Sequence, residues 1–301
     1  MTAEQRTMIH QMLLDAPFDL GGDVTVQRPL FEQMIAAQPA PPDVVVTTGE
    51  LGGVPVVTIE IDGVASRGTI FHIHGGAFAI GSAESSVGLA ADMARRTAMR
   101  VVSVDYRLAP EHPYPAALDD VTAAYRSLVE QAGPAEPVEP VVVSGESAGG
   151  NLAVELLIAG KPDGLTMPVA LVLMSPVTDL AATGQSYTDK ADVDPVLSAA
   201  AIRTRVADYI GDGDPTDPLV SPIFADLTGL PPLLIQAGSH EVLLDDATRL
   251  AARAAAHDVA VVLDVTAGVP HVFQAFAAFL DEGAVALDRV ARFIDDAVEG
   301  A

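Results

Sequence analysis

The chain of 301 residues has no cysteine and no tryptophan, and aromatic residues make up 5 % of it. Without cysteine there is no disulfide framework, no thiolate nucleophile and no Cys-based zinc or iron–sulfur site. Positive charge is also scarce. Sixteen Lys and Arg face 41 Asp and Glu, a formal charge of −25, and Lys161 and Lys190 are the only lysines. Such a charge repels phosphate backbones and anionic lipid surfaces, which argues against nucleic acid or a membrane as partner. No run reaches the ~18 consecutive apolar residues of a membrane-spanning helix. The segment MTAEQRTMIHQMLLDAP lacks the basic start and unbroken apolar run of a secretory signal. A cytoplasmic globular protein is the expectation.

Hydrophobic residues are 50 % of the chain and charged ones 19 %, ample for a sizeable core. Residues 3–37 read as two short helices, Ala3–Leu14 and Val26–Ala37, and QPAPPD then breaks the helical pattern. Val44 to Ile61 reads as an antiparallel hairpin around GELGGVP. Short apolar strands follow at Gly68–Ile73, Arg100–Val104, Pro140–Ser144, Val169–Met174, Pro232–Gln236 and Val259–Val265. Helix-length segments such as Ala116–Gln131, Ala148–Ala159 and Leu243–His257 lie between them. Apolar strands alternating with helices imply an α/β protein whose parallel sheet is covered on both faces. Residues 181–220 break this rhythm and read as an excursion from the sheet.

The sharpest chemical signal is VVVSGESAGGNLA. A β-branched run ends at Ser144, and Gly145-Glu146-Ser147-Ala148-Gly149 then opens an apolar helix, the strand–turn–helix setting of a G-x-S-x-G nucleophile elbow. Side chains at Gly145 and Gly149 should collide with nearby backbone, and the helix N-terminus favours negative charge beside Ser147. Upstream, the strand TIFHI runs into His74-Gly75-Gly76-Ala77, where an oxyanion hole needs convergent amides. Gly75, Gly76, Ala77 and Ala148 are the candidate donors. His72 and His74 alternate along one strand, so a metal pair competes, although no carboxylate partner is near. In VDYRLAPEHPYPAALDD, the charges of Arg107, Glu111, Asp119 and Asp120 suit an ion-pair network behind the active-site loops.

HGGAF, DYRLAPEHPYPAALDD, SGESAGGNLA, SPIFADLTGLPPLLIQAGSHEVLLDD and PHVFQAF, in that order, resemble the bacterial hormone-sensitive-lipase-like (family IV) esterases of the α/β-hydrolase superfamily, over residues 26–298. The resemblance implies an α/β-hydrolase fold: an eight-stranded, mostly parallel sheet, helices on both faces and a helical cap. It divides the chain into N-terminal cap helices (1–43), hydrolase core (44–180), cap excursion (181–220) and continued core (221–301). With the chain order Ser…acid…His of the fold, it makes His271 the base of Ser147. For the acid, the family places Asp where this chain has Glu241, and Asp245 is the alternative. Two further departures are Ala77, where a third glycine is common, and Glu146, to which no consequence attaches at this stage. Ala77 is expected to handicap tertiary-alcohol esters.

The implied activity is that of a serine carboxylesterase hydrolysing short-chain acyl esters through an acyl-enzyme, with no cofactor, no metal and a small-molecule ester as partner. The apolar Val196, Leu197, Ile202 and Val206 of the excursion suit a short acyl pocket. Amides, carbamates or lactones as substrates stay open, as does a binding-only role on a degraded triad. An unshifted imidazole base predicts activity falling below about pH 6–6.5. The final strand could pair edge to edge in a homodimer.

Overall fold

The computed structural model describes residues 3–36, 41–130 and 139–300. The expected helix ends at Ala37 and Gln131, and residues 38–40 of the QPAPPD break, lie outside the described residues. In chain order the elements are α1 (Ala3–Leu14), α2 (Val24–Ala36), β1 (Val44–Leu51), β2 (Val54–Ile61), β3 (Thr69–Ile73), α3 (Val87–Thr97), β4 (Arg100–Val104) and α4 (Ala116–Glu130). Then come β5 (Val141–Glu146), α5 (Ala148–Gly160), β6 (Ala170–Met174), α6 (Ser186–Asp189), α7 (Ala199–Ile210), β7 (Leu233–Gly238), α8 (Leu244–Ala256), β8 (Val261–Thr266) and α9 (Asp281–Glu299).

The eight strands form one sheet in the order β1-β2-β4-β3-β5-β6-β7-β8. β2 runs antiparallel to both of its neighbours, and every pairing from β4 to β8 is parallel. Successive side chains of a strand point to opposite faces, so the apolar runs feed two cores. Ile70, Val101, Val142, Val172 and Leu234 pack with Met93 of α3 and with Leu287, Val290 and Ile294 of α9. Their neighbours Phe71, Val102, Val143, Leu173 and Ile235 pack on the other side with Val121 and Tyr125 of α4, Leu152 of α5 and Leu250 of α8. Two-sided burial explains why these strands read as continuous apolar runs. β8 is different: it is the edge of the parallel part of the sheet, and Val262, Leu263 and Val265 are exposed.

Strand boundaries shift where pairing continues past the apolar run. β5 extends beyond Ser144 because Gly145 and Glu146 stay in register with Leu173 and Met174. In the hairpin the turn is Gly52-Gly53 alone, and the rest of GELGGVP belongs to β1 and β2.

The excursion holds α6 and α7. The ring of Tyr209 on α7 stacks on Phe78 at a centroid distance of 3.8 Å and an interplanar angle of 4°. The two N-terminal helices sit in different places. Ile9 of α1 packs with Val269, Phe273, Leu280 and Ala286, around the segment that follows β8. The approach to α2 meets α7, where a Cβ on Gly21 would lie 3.1 Å from the Ala201 Cα. Arg28 of α2 donates from Nε to the Ala79 carbonyl (2.7 Å) and from Nη2 to the Ala109 carbonyl (2.8 Å). No helix among the described residues is long and apolar enough to cross a membrane.

Candidate active site

Ser147 is the first residue past β5 and immediately precedes α5. Its φ of 51° and ψ of −118° form a sharp turn that L-residues rarely adopt. The turn is held by its neighbours: the Ser147 amide donates to the Met174 carbonyl (2.9 Å) and the Val177 amide to the Ser147 carbonyl (3.1 Å). The expected crowding is present. A Cβ on Gly145 would lie 2.2 Å from the Gly149 carbonyl oxygen, and one on Gly149 would lie 2.0 Å from the Ile73 carbonyl oxygen. α5 is buried nearly all round from Ala148 to Leu157, so the elbow stands on a fixed support.

The segment after β3 also turns left-handed, with φ of 108° at Gly76, 52° at Ala77 and 62° at Phe78. Amides of Ala79 and Ile80 close the turn onto the Gly76 carbonyl at 3.1 and 2.9 Å. The loop backs onto the elbow, since a Cβ on Gly75 would meet the Ser147 Cβ at 3.2 Å. Amides of Gly76, Ala77 and Ala148 have no acceptor among the described residues. Gly75 does, and this corrects its place among the oxyanion donors: its amide donates to Oε1 of Glu146 at 3.2 Å. The same oxygen accepts from the Ser86 hydroxyl at 3.0 Å. Glu146 thus braces the glycine loop, a role that needs the folded chain to be seen. Burial pushes its carboxyl up, against the Gly75 and Ser86 hydrogen bonds and the nearby His271.

Glu241 and His271 are in direct contact, Oε2 to Nδ1 at 2.7 Å, with Glu241 fully buried and His271 8 % exposed. The other carboxylate oxygen accepts from the Gly238 amide (2.6 Å) and the Ser175 hydroxyl (3.0 Å). Ser175 in turn takes the Val272 amide at 3.0 Å, so a single serine past β6 ties Glu241 to the segment that carries His271. Asp245, the alternative acid, is turned elsewhere: its Oδ2 accepts the Ser186 amide at 3.0 Å. Asp246 caps the chain at Thr178 and Asp179, and burial pushes its carboxyl up to about 7. The Ser147 hydroxyl and His271 Nε2 are not hydrogen-bonded to each other in this arrangement, a looseness common before substrate binds.

Burial pulls the His271 pKa down, but the hydrogen bond and charge of Glu241, with Asp194 and Glu146 nearby, outweigh it and leave the imidazole above its ordinary value. Asp194 comes from the excursion. Its Oδ1 accepts the Val196 and Leu197 amides, and its Oδ2 accepts the Val242 amide, all at 2.8 Å. It therefore joins the pocket wall at Leu197 to the residue after Glu241.

His72 and His74 are built into the core. His72 Nδ1 meets the Ser144 hydroxyl at 2.8 Å, and His74 stacks on Tyr106 with centroids 4.2 Å apart. Burial lowers their pKa values to about 3 and about 4, so both are neutral. Among the described residues no group of three or more His, Asp or Glu is placed to hold a metal ion. The expected ion-pair network resolves into two separate clamps. Arg107 grips Asp120 in a bidentate pair, while Glu111 pairs with Arg28 of α2, and Asp119 joins neither. Ser147 opens into a small, largely apolar cavity walled by Ala77, Phe78, Leu197, Ile202, Arg205 and Leu243 among others.

A family profile for the alpha/beta hydrolase fold matches residues 70–275. An esterase of Acinetobacter venetianus is 41 % identical over 269 residues, covering 88 % of this chain and 87 % of the relative. An acetyl-hydrolase of Streptomyces hygroscopicus is 38 % identical over 254 residues, covering 84 % and 83 %. The crystal structure of an esterase from the bacterial hormone-sensitive lipase family superposes with a TM-score of 0.93 at 36 % identity, over 99 % of both chains. With the elbow, the glycine loop and the buried acid–imidazole pair, these similarities define the class: the chain belongs to the α/β-hydrolase family, in its bacterial hormone-sensitive-lipase-like (family IV) branch.

Proposed function

We propose that this carboxylic-ester hydrolase is a serine carboxylesterase for short-chain acyl esters, with Ser147 as nucleophile, His271 as base and Glu241 as the acid that orients it. The observation that carries the reading is the buried 2.7 Å contact between Glu241 and His271 Nδ1. An ionised carboxylate there fixes the tautomer with Nε2 free to take the Ser147 proton, and it stabilises the imidazolium that forms. Ser147 Oγ attacks the ester carbonyl, and the amides of Gly76, Ala77 and Ala148 receive the oxyanion. Each such donor lowers the barrier by ~3–4 kcal/mol in analogous sites. His271 then protonates the leaving alcohol, and water cleaves the acyl-enzyme by the same route. The chain division with a cap from 1–43 and 181–220 belongs to this proposal, α1 bracing the segment that carries His271.

The apolar wall under α7 and the limited cavity support short acyl groups. The test is hydrolysis of p-nitrophenyl esters of rising acyl length, by the native protein beside Ser147→Ala. The expected outcome is turnover that peaks at short chains and falls by ~10⁴–10⁶ in kcat on substitution. A variant as active as the native protein removes Ser147 from the chemistry.

A further inference from the structure

We propose that Arg205 makes this site selective for esters whose acyl chain ends in a carboxylate, the monoesters of short dicarboxylic acids. The inference deepens the reading of the cavity as an acyl pocket and rests on it. Arg205 lies on α7, 4 % exposed, in the wall of the cavity that contains Ser147. Apart from these two, every lining side chain is apolar, Leu180, Leu197, Ile202 and Val206 among them.

A guanidinium is always charged and carries five N–H donors. Here Asp208 Oδ2 stands 3.1 Å from Nη2, and its side chain, 26 % exposed, shares its charge with solvent. Nε and Nη1 are buried and have no hydrogen-bond partner. Leaving charged donors unpaired in an apolar wall is costly, and a leucine or methionine of similar volume would pack there without that cost. Apolar pockets take their specificity from a few polar groups that fix the ligand. With the nucleophile at one point of the wall and a cation at another, the fitting ligand is an acyl chain with the ester at one end and an anion at the other. A carboxylate is the strongest planar acceptor for a guanidinium. Its charge answers a guanidinium that the half-solvated Asp208 only partly balances.

The experiment compares kcat/KM for monoethyl adipate, diethyl adipate and ethyl hexanoate in the native protein, Arg205→Met and Arg205→Lys. The acyl chains are equal in length and differ in the terminal group. Arg205→Met is expected to lower the preference for monoethyl adipate over ethyl hexanoate by about ten- to a hundredfold, the ratio of the two kcat/KM values being the readout. Arg205→Lys should retain part of the preference, and the neutral diester should respond less than the monoester. A preference unchanged by Arg205→Met, or a parallel loss on both substrates, overturns the proposal while Ser147-dependent hydrolysis of ethyl hexanoate keeps the esterase reading intact. No Ser147-dependent hydrolysis of any ester overturns both. A measurement on the native protein guards against a variant that does not fold: free adipate should inhibit p-nitrophenyl butyrate hydrolysis at least about tenfold more tightly than hexanoate. Equal inhibition by the two acids contradicts the role of Arg205.

Discussion

At the residue scale, the electrostatics around His271 give the account its pH dependence. In the proposed mechanism His271 works as neutral imidazole, so activity requires a pH above its pKa, and that pKa lies above the ordinary 6.5. The acid limb of kcat/KM should therefore have its midpoint above 6.5, higher than an unshifted histidine predicts. Glu241→Gln removes the largest raising partner. The limb should move to lower pH while kcat drops by ~10³–10⁴ through loss of the oriented tautomer. A pH–rate profile of the two proteins checks both statements, and an unmoved limb contradicts them.

Ala77 is the second residue with a consequence of its own. Its φ of 52° makes it one of the non-glycine residues held left-handed beside Ser147, a strain of ~1–2 kcal/mol for an L-residue. The methyl group also lies in the wall of the cavity that holds Ser147. Ala77→Gly should raise turnover of tert-butyl acetate relative to ethyl acetate by about tenfold or more. Equal turnover of the two acetates by the native protein contradicts the crowding that Ala77 is held to cause. Much of the geometry at this scale was legible beforehand: the elbow at Ser147 from its strand–turn–helix setting, and the candidates His271 and Glu241 from family resemblance and chain order. Which of Glu241 and Asp245 meets His271 was not readable, because the two lie about one turn of chain apart and only the folded side-chain directions separate them. Ser175 and Asp194 gave no signal in the sequence, since each acts through a partner distant along the chain, and Arg205 gave none because only the fold puts it in the cavity wall.

At the scale of elements, the two-sided burial of β3 to β7 made the strands readable as apolar runs, and their far ends blurred where the ladder continued past the run, into Gly145 and Glu146 of β5 and Ala237 and Gly238 of β7. The junctions were not readable. Arg28 stands on α2, and only the fold brings its guanidinium to the carbonyls of Ala79 and Ala109 and the carboxylate of Glu111. Ala79 lies two residues after Ala77, so α2 holds the glycine loop through this clamp. Arg28 also keeps the Glu111 carboxyl down at about 2. Arg28→Met should destabilise the protein by about 1–2 kcal/mol, the range for lost charged hydrogen bonds at a partly exposed site. It should also lower kcat more than it raises KM. Thermal denaturation with steady-state kinetics on a short ester tests this, and an unchanged kcat in a folded variant assigns the clamp to stability alone.

At the scale of the molecule, one sheet presents Ser147 after β5, Ser175 after β6, Glu241 after β7 and His271 after β8 along its carboxyl edge. Parallel order does this work, because adjacent strands running the same way deliver their following loops to the same edge. The glycine loop after β3 arrives beside them because β3 pairs with β5. α7 and the approach to α2 then close the edge from above. The central claim is that this edge acylates Ser147. Rapid acid quench of the protein mixed with p-nitrophenyl acetate, followed by peptide mass spectrometry, tests it most directly. The account expects one acetyl group on the peptide holding Ser147, formed with the burst of p-nitrophenol and absent in Ser147→Ala. Steady turnover with no acylated Ser147, or an acetyl group on another residue that tracks the burst, contradicts it.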